Sequence, residues 1–181
     1  MTGWPRGRAR DGGIDEIPIP GRQGRLWLCG KHAVGPDPEA LLARVGADAI
    51  VCLCQPHEID HRYPVYAAWL AAEADHRAVW FPTPDLSVRP LADTTTLVDD
   101  LVARLDRGRG LVVHCGAGIG RAGTMAVAIL LAGGVPPDDA LASVARHRPG
   151  AGPEAGSQTE LVAELAGHYR PERSGGGIND R

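Results

Sequence analysis

A cysteine stands six positions ahead of an arginine in His114-Cys115-Gly116-Ala117-Gly118-Ile119-Gly120-Arg121. The apolar stretch Gly110-Leu-Val-Val-His114 before it reads as a strand, and 121–132 after it as a helix. The thiol therefore sits where a strand ends, and the guanidinium where a helix begins. Three glycines between them let backbone N–H groups turn inward. Such a loop cradles a dianion and aims a sulfur nucleophile at it. A helix N-terminus and a nearby cation can bring a thiol from about 8.5 down to roughly 3.5–7.5. Residues 116–121 would take the equatorial oxygens, and Arg121 would hold two of them in a planar fork that lysine cannot reproduce. The loop lacks the Gly-Lys-Ser/Thr ending of a nucleotide-binding loop, which excludes that reading.

Phosphate ester cleavage also needs an acid for the leaving oxygen. Asp85, in Phe81-Pro-Thr-Pro-Asp85, follows another strand and precedes Cys115 by 30 residues. A carboxyl on such a loop can protonate a leaving group and then activate water against the phosphocysteine. Gln158, opening the last helix, could position that water through its amide. Alone, Asp85 reads as a turn residue and Gln158 as a solvated helix-start residue. Beside the cysteine loop, both join the expected site.

The elements that must position these groups alternate. Strands are expected at Ile17-Pro-Ile19, 25–29, 49–54, 76–81 and 111–114; Pro18 and Pro20 suit an edge. Helices are expected at 37–44, opened by Asp37-Pro38, and at 64–74, 92–107, 121–132, 136–146 and 157–169. The prolines in 82–90 make that segment a loop. This pattern gives an α/β fold, a central mixed, partly parallel sheet flanked by helices, in one domain over 14–171. Residues 1–13 are expected to be a flexible arm and 172–181 a disordered tail. Ligands of such sheets bind beyond the carboxyl ends of strands, where the cysteine loop falls.

Composition narrows the partners. The chain has 181 residues, 44% of them hydrophobic, and a formal charge of −3, so it exerts no general pull on nucleic acid or anionic membrane. Its longest apolar run falls short of the roughly 20 residues that span a bilayer, and its N-terminus lacks the apolar core of a signal peptide. A cytoplasmic location is expected, and the abundance of Ala, Arg and Gly hints at a GC-rich bacterial source. The four cysteines, Cys29, Cys52, Cys54 and Cys115, suit catalytic or redox thiols better than a disulfide framework. Cys29-x2-His32 and Cys52-x-Cys54 lack the C-x2-C repeat of structural zinc and lie in strand-like sequence, so no metal and no cofactor is expected.

His114-Cys115-x2-Gly118-x2-Arg121-x-Gly123-Thr124 resembles the signature of the cysteine-based protein tyrosine phosphatases, and the short chain resembles their dual-specificity branch. The likeness extends to Asp85 and Gln158 and covers roughly residues 25–170. It implies a metal-independent phosphatase with Cys115 as nucleophile, Arg121 as phosphate clamp and Asp85 as acid. It makes His114 the residue that orders the loop and tunes the thiolate. Relatives with a cysteine placed like Cys54 form a reversible disulfide with the nucleophile; Cys52, on the same strand face, competes for that role. One position departs from the family: Ala122 stands where a Ser or Thr hydroxyl normally donates to the sulfur. Its loss should slow phosphoenzyme hydrolysis more than phosphoryl transfer, and Thr124 lies too far along the helix to substitute.

The expected substrate is a phosphorylated protein side chain, because Gly116 to Gly120 carry none of the basic side chains that phosphoinositide-acting relatives place there. Two alternatives stand: a phosphatase of small nucleotide, sugar or inositol phosphates, and a phosphate-binding module with little turnover. The sequence names no partner beyond the substrate and no oligomeric state.

Overall fold

Continuous apolar runs become interior strands here, and proline decides where the edge stops. The structure, a computed structural model, describes residues 13–170. In chain order the elements are β1 (Ile14–Ile17), β2 (Arg25–Gly30), α1 (Lys31–Val34), α2 (Pro38–Val45), β3 (Ala49–Cys52), α3 (Pro56–Ile59), α4 (Pro64–Ala72), β4 (Ala78–Trp80), α5 (Leu91–Asp106), β5 (Gly110–Cys115), α6 (Gly120–Ala132), α7 (Pro137–His147) and α8 (Gly156–His168). The five strands form one sheet in the order β1-β2-β5-β3-β4. β1 runs antiparallel to β2, and the other pairings are parallel. The expected mixed sheet flanked by helices is the observed fold.

Residue alternation sorts the sheet into two apolar layers. Leu26, Leu28, Val51, Leu111 and Val113 face α5, α6 and α8, whereas Trp27, Cys29, Ile50, Cys52 and Val112 face the small helices α1 to α4. α6 is the central helix, buried over nearly its whole length. Its burial fixes the end of β5 and the start of α6 as one rigid corner. Among the described residues no helix is long and apolar enough to cross a membrane.

Several boundaries differ from expectation. The edge strand is Ile14–Ile17 rather than Ile17–Ile19, because Pro18 and Pro20 have no N–H to give to a ladder. β3 ends at Cys52, two residues early, and β4 spans only Ala78–Trp80. Asp37 caps α2 as expected, accepting from Ala40 N–H at 2.9 Å. Two single-turn helices, α1 and α3, were absent from the sequence reading, and α3 carries a residue that the site depends on. The arm expected over 1–13, apart from Gly13, and the tail expected over 172–181 lie outside the described residues.

Candidate active site

β5 is the middle strand of the sheet, and its last residue is Cys115. The loop 116–119 carries the chain directly into α6, which begins at Gly120, so the thiol faces the N-terminal turn of a helix. Gly118 is required at its position: its φ is +75°, and a Cβ there would lie 2.3 Å from the Cys29 carbonyl oxygen. The Ala122 and Gly118 N–H groups reach the Cys115 sulfur.

An arginine outside the signature holds the loop open. Arg148 follows α7 and is fully buried. Its Nε donates to the Gly118 carbonyl at 2.6 Å and its Nη2 to the Ala117 carbonyl at 2.9 Å. Nη1 forms an ion pair with Asp15 at 2.8 Å. Two loop carbonyls are thereby pulled to the back, which turns the opposing N–H groups to the front. Sequence reasoning missed Arg148 because it sits in an unremarkable Arg146-His-Arg148-Pro stretch, and only the fold brings it under the loop.

Arg121 is buried at the start of α6. Nη1 donates to Glu58 Oε2 and Nη2 to Glu58 Oε1, both at 2.7 Å, and Nη1 also donates to the Thr83 carbonyl at 2.8 Å. Glu58 thus grips the guanidinium end-on. Nε has no protein partner, and with Nη2 it forms the side-on edge of the fork. Nη2 lies beside Gly116 of the loop. Asp85 Oδ1 sits 3.2 Å from Nη2, with its side chain 72% exposed. The structure brings Cys115, Arg121 and Asp85 together.

Glu58 is the second residue the sequence reading passed over. The signal was present: Gln55-Pro56-His57-Glu58 places proline at the first helical position and glutamate two residues later, where it can cap back. Glu58 Oε2 accepts the Gln55 N–H at 2.8 Å, and Lys31 Nζ donates to the Glu58 carbonyl at 3.0 Å. Burial raises the Glu58 carboxyl, but the Arg121 hydrogen bonds, the Gln55 N–H and the charges of Arg121 and Lys31 outweigh it. The carboxyl is held below its ordinary range.

The thiol behaves differently from expectation. Burial pushes Cys115 up, more strongly than the Ala122 and Gly118 N–H groups and the Arg121 charge pull it down, and the Cys54 thiol adds to the rise. The physical reason is burial, which withdraws the solvation that a thiolate needs and a neutral thiol does not.

His114 is wholly buried; its Nε2 lies 2.6 Å from Tyr66 Oη and its Nδ1 3.4 Å from the Cys115 carbonyl. It braces the peptide of the nucleophile. Gln158 is buried rather than solvated, and both ends of its amide are engaged. Oε1 accepts the Glu154 N–H at 2.8 Å, and Nε2 lies 3.4 Å from the Ser87 carbonyl. In this arrangement it ties α8 to the Asp85 loop. Ala122 is fully buried, and Thr124 Oγ1 faces no protein partner. Thr124 and Gln158 help line a cavity under the Asp85 loop that is large enough to admit water. Cys54 lies buried beside Cys52 and His114, and a hydrogen bond with Cys52 together with burial pushes its thiol far above the ordinary range.

Comparison with known proteins agrees with this geometry. The chain is 25% identical to Tk-PTP in its active form, with a TM-score of 0.64 over 84% of this chain and 97% of that one. Kinase associated phosphatase, at 20% identity and a TM-score of 0.72, shares the fold over 86% of this chain and 94% of that one. PTPMT1, solved in complex with PI(5)P, shares it at 20% identity and a TM-score of 0.66 over 81% and 92%. No curated protein matches the chain in sequence. Residues 25–160 match the family described as "Swiss Army Knife protein, DSP-PTPase phosphatase domain". The cysteine loop, its clamp and four of the five strands lie within that span, and the chain belongs to this family of cysteine-based, dual-specificity-type protein tyrosine phosphatases.

Proposed function

We propose that this phosphatase hydrolyses the phosphomonoesters of protein side chains through a phosphocysteine on Cys115. One observation carries the reading: Asp85 Oδ1 lies 3.2 Å from Arg121 Nη2, and the Arg121 charge acts on the Cys115 thiol, so nucleophile, clamp and acid meet at one loop. Arg121 and the N–H groups of 116–121 bind the equatorial oxygens. Cys115 displaces the leaving oxygen in line, and Asp85 gives that oxygen its proton. Asp85, now a carboxylate, then takes a proton from water that attacks phosphorus and releases the thiolate. His114 positions the nucleophile's peptide, and Gln158 anchors the acid loop.

The substrate class follows from charge. Gly116 to Gly120 bring no cation to the rim, and Lys31 turns its ammonium to the Glu58 carbonyl. A multiply charged headgroup of the kind seen with PTPMT1 would meet little complementary charge here. A single phosphoryl group on a protein side chain fits better. The test is hydrolysis of an aryl phosphate with EDTA present, comparing wild type with Cys115→Ser and Asp85→Asn, followed by phosphopeptides against inositol and nucleotide phosphates. Loss of rate in both variants with phosphopeptide preference is the expected result. Activity surviving Cys115→Ser overturns the mechanism, and preference for the small phosphates overturns the substrate class.

A further inference from the structure

Two thiols behind the cradle, Cys52 and Cys54, have no part in that chemistry, and His114, which braces the nucleophile's peptide, lies beside them. Cys52 pairs in register with His114 across the parallel strands β3 and β5, so both side chains leave the same face of the sheet. The Leu53 N–H donates to the His114 carbonyl at 3.0 Å, extending the ladder past the end of β3. Cys54, two residues after Cys52, returns to the same face. The two sulfurs and an imidazole nitrogen all lie within 4.8 Å of one another. All three residues are fully buried.

We propose that Cys52, Cys54 and His114 form a binding site for one thiophilic divalent cation, of which Zn²⁺ is the representative. The donor set is two sulfurs and one imidazole nitrogen, the kind that selects zinc over the oxygen-seeking Mg²⁺ and Ca²⁺. Donors on one tetrahedral zinc stand about 3.3–3.8 Å apart, so closing the cluster takes side-chain shifts of about 1 Å. On binding, each thiol releases its proton to solvent and forms one S–metal bond, while the imidazole contributes a lone pair. No electron changes hands. Two thiolates, a neutral imidazole and a divalent ion sum to zero, so the loaded cluster adds no net charge to the apolar layer. Tyr66 Oη, 2.6 Å from His114 Nε2, is a further oxygen beside the cluster. The sequence concealed this set because its third member lies 60 residues from Cys54 and joins only through the strand order β5-β3.

The nucleophile is itself a thiol, so the experiment removes it. The full chain carrying Cys115→Ser, fully reduced, is titrated with Co²⁺ and then Zn²⁺. One equivalent of Co²⁺ should give thiolate-to-cobalt charge-transfer absorption and strong visible bands of tetrahedral cobalt, and one equivalent of Zn²⁺ should erase both. Cys52→Ser or Cys54→Ser, added to Cys115→Ser, should weaken binding by at least about a hundredfold. X-ray absorption on the zinc-loaded Cys115→Ser protein needs no change in the cluster and should count two sulfur donors and at least one nitrogen. Binding that requires Cys115, a metal shell without sulfur, or no stoichiometric binding by the folded chain would each overturn the proposal.

Discussion

Glu58 takes both terminal nitrogens of Arg121 at 2.7 Å each, and so holds the clamp end-on. The side-on edge is left for a dianion. This pairing sets the aim of the guanidinium and also lowers the positive field at Cys115. Replacing Glu58 by Gln should separate the two effects. KM for an aryl phosphate should rise about tenfold, the equivalent of ~1.4 kcal/mol, as the charged hydrogen bonds are lost. The midpoint for alkylation of Cys115 by iodoacetamide should move to lower pH, because Arg121 is no longer neutralised. An unchanged or higher midpoint would show that burial alone sets the thiol. Glu58 is held below its ordinary range in the fold, so its contribution to stability is present above the unfolded value and fades as pH falls through the folded one. Wild type should therefore lose Tm more steeply than Glu58→Gln on acidification below about pH 5.

Asp85 lies 3.2 Å from Arg121 Nη2 and is otherwise open to solvent, placed to meet a leaving group over the cradle. Asp85→Asn should lower kcat by about 10²–10⁴ for an alkyl phosphate, whose leaving oxygen needs a proton. The loss should shrink for an activated aryl phosphate. Equal losses on both would remove the acid role.

Ala122 offers the sulfur an N–H and no hydroxyl. Thr124 does not restore one, since its Oγ1 belongs to the cavity under the acid loop. Ala122→Ser should raise the steady-state rate and reduce the burst of leaving group in rapid-mixing experiments. A burst of unchanged size would show that release of the phosphoryl group from sulfur does not limit turnover.

Arg148 is a wholly buried cation bound to Asp15 and to the loop carbonyls of Ala117 and Gly118. Removing it as Arg148→Met leaves a carboxylate and two carbonyls short of partners, at a cost of about 3–5 kcal/mol. Denaturant unfolding should show that loss. Phosphate affinity should fall with it, because the carbonyls are free to turn into the cradle. Preserved affinity for inorganic phosphate in the folded variant would limit Arg148 to a stabilising role.

The sequence by itself determined the centre of this protein. A strand, a cysteine, a glycine loop and a helix-opening arginine are local in the chain, and 3.8 Å per residue leaves them few arrangements. Asp85 could be read from its proline-bounded loop, and the mixed sheet from the alternation of elements. Tertiary structure decided how those parts are held and tuned. Glu58 reaches Arg121 across 63 residues, Arg148 reaches Gly118 across 30, and His114 meets Cys52 only because β5 lies beside β3. Those contacts are set by strand order and by the burial of α6, which no spacing in the chain encodes. They turned an expected low thiol into one that burial holds up, and an expected water-positioning Gln158 into an anchor of the acid loop. Charges that share a buried space answer to their neighbours in three dimensions, and those neighbours come from distant parts of the chain.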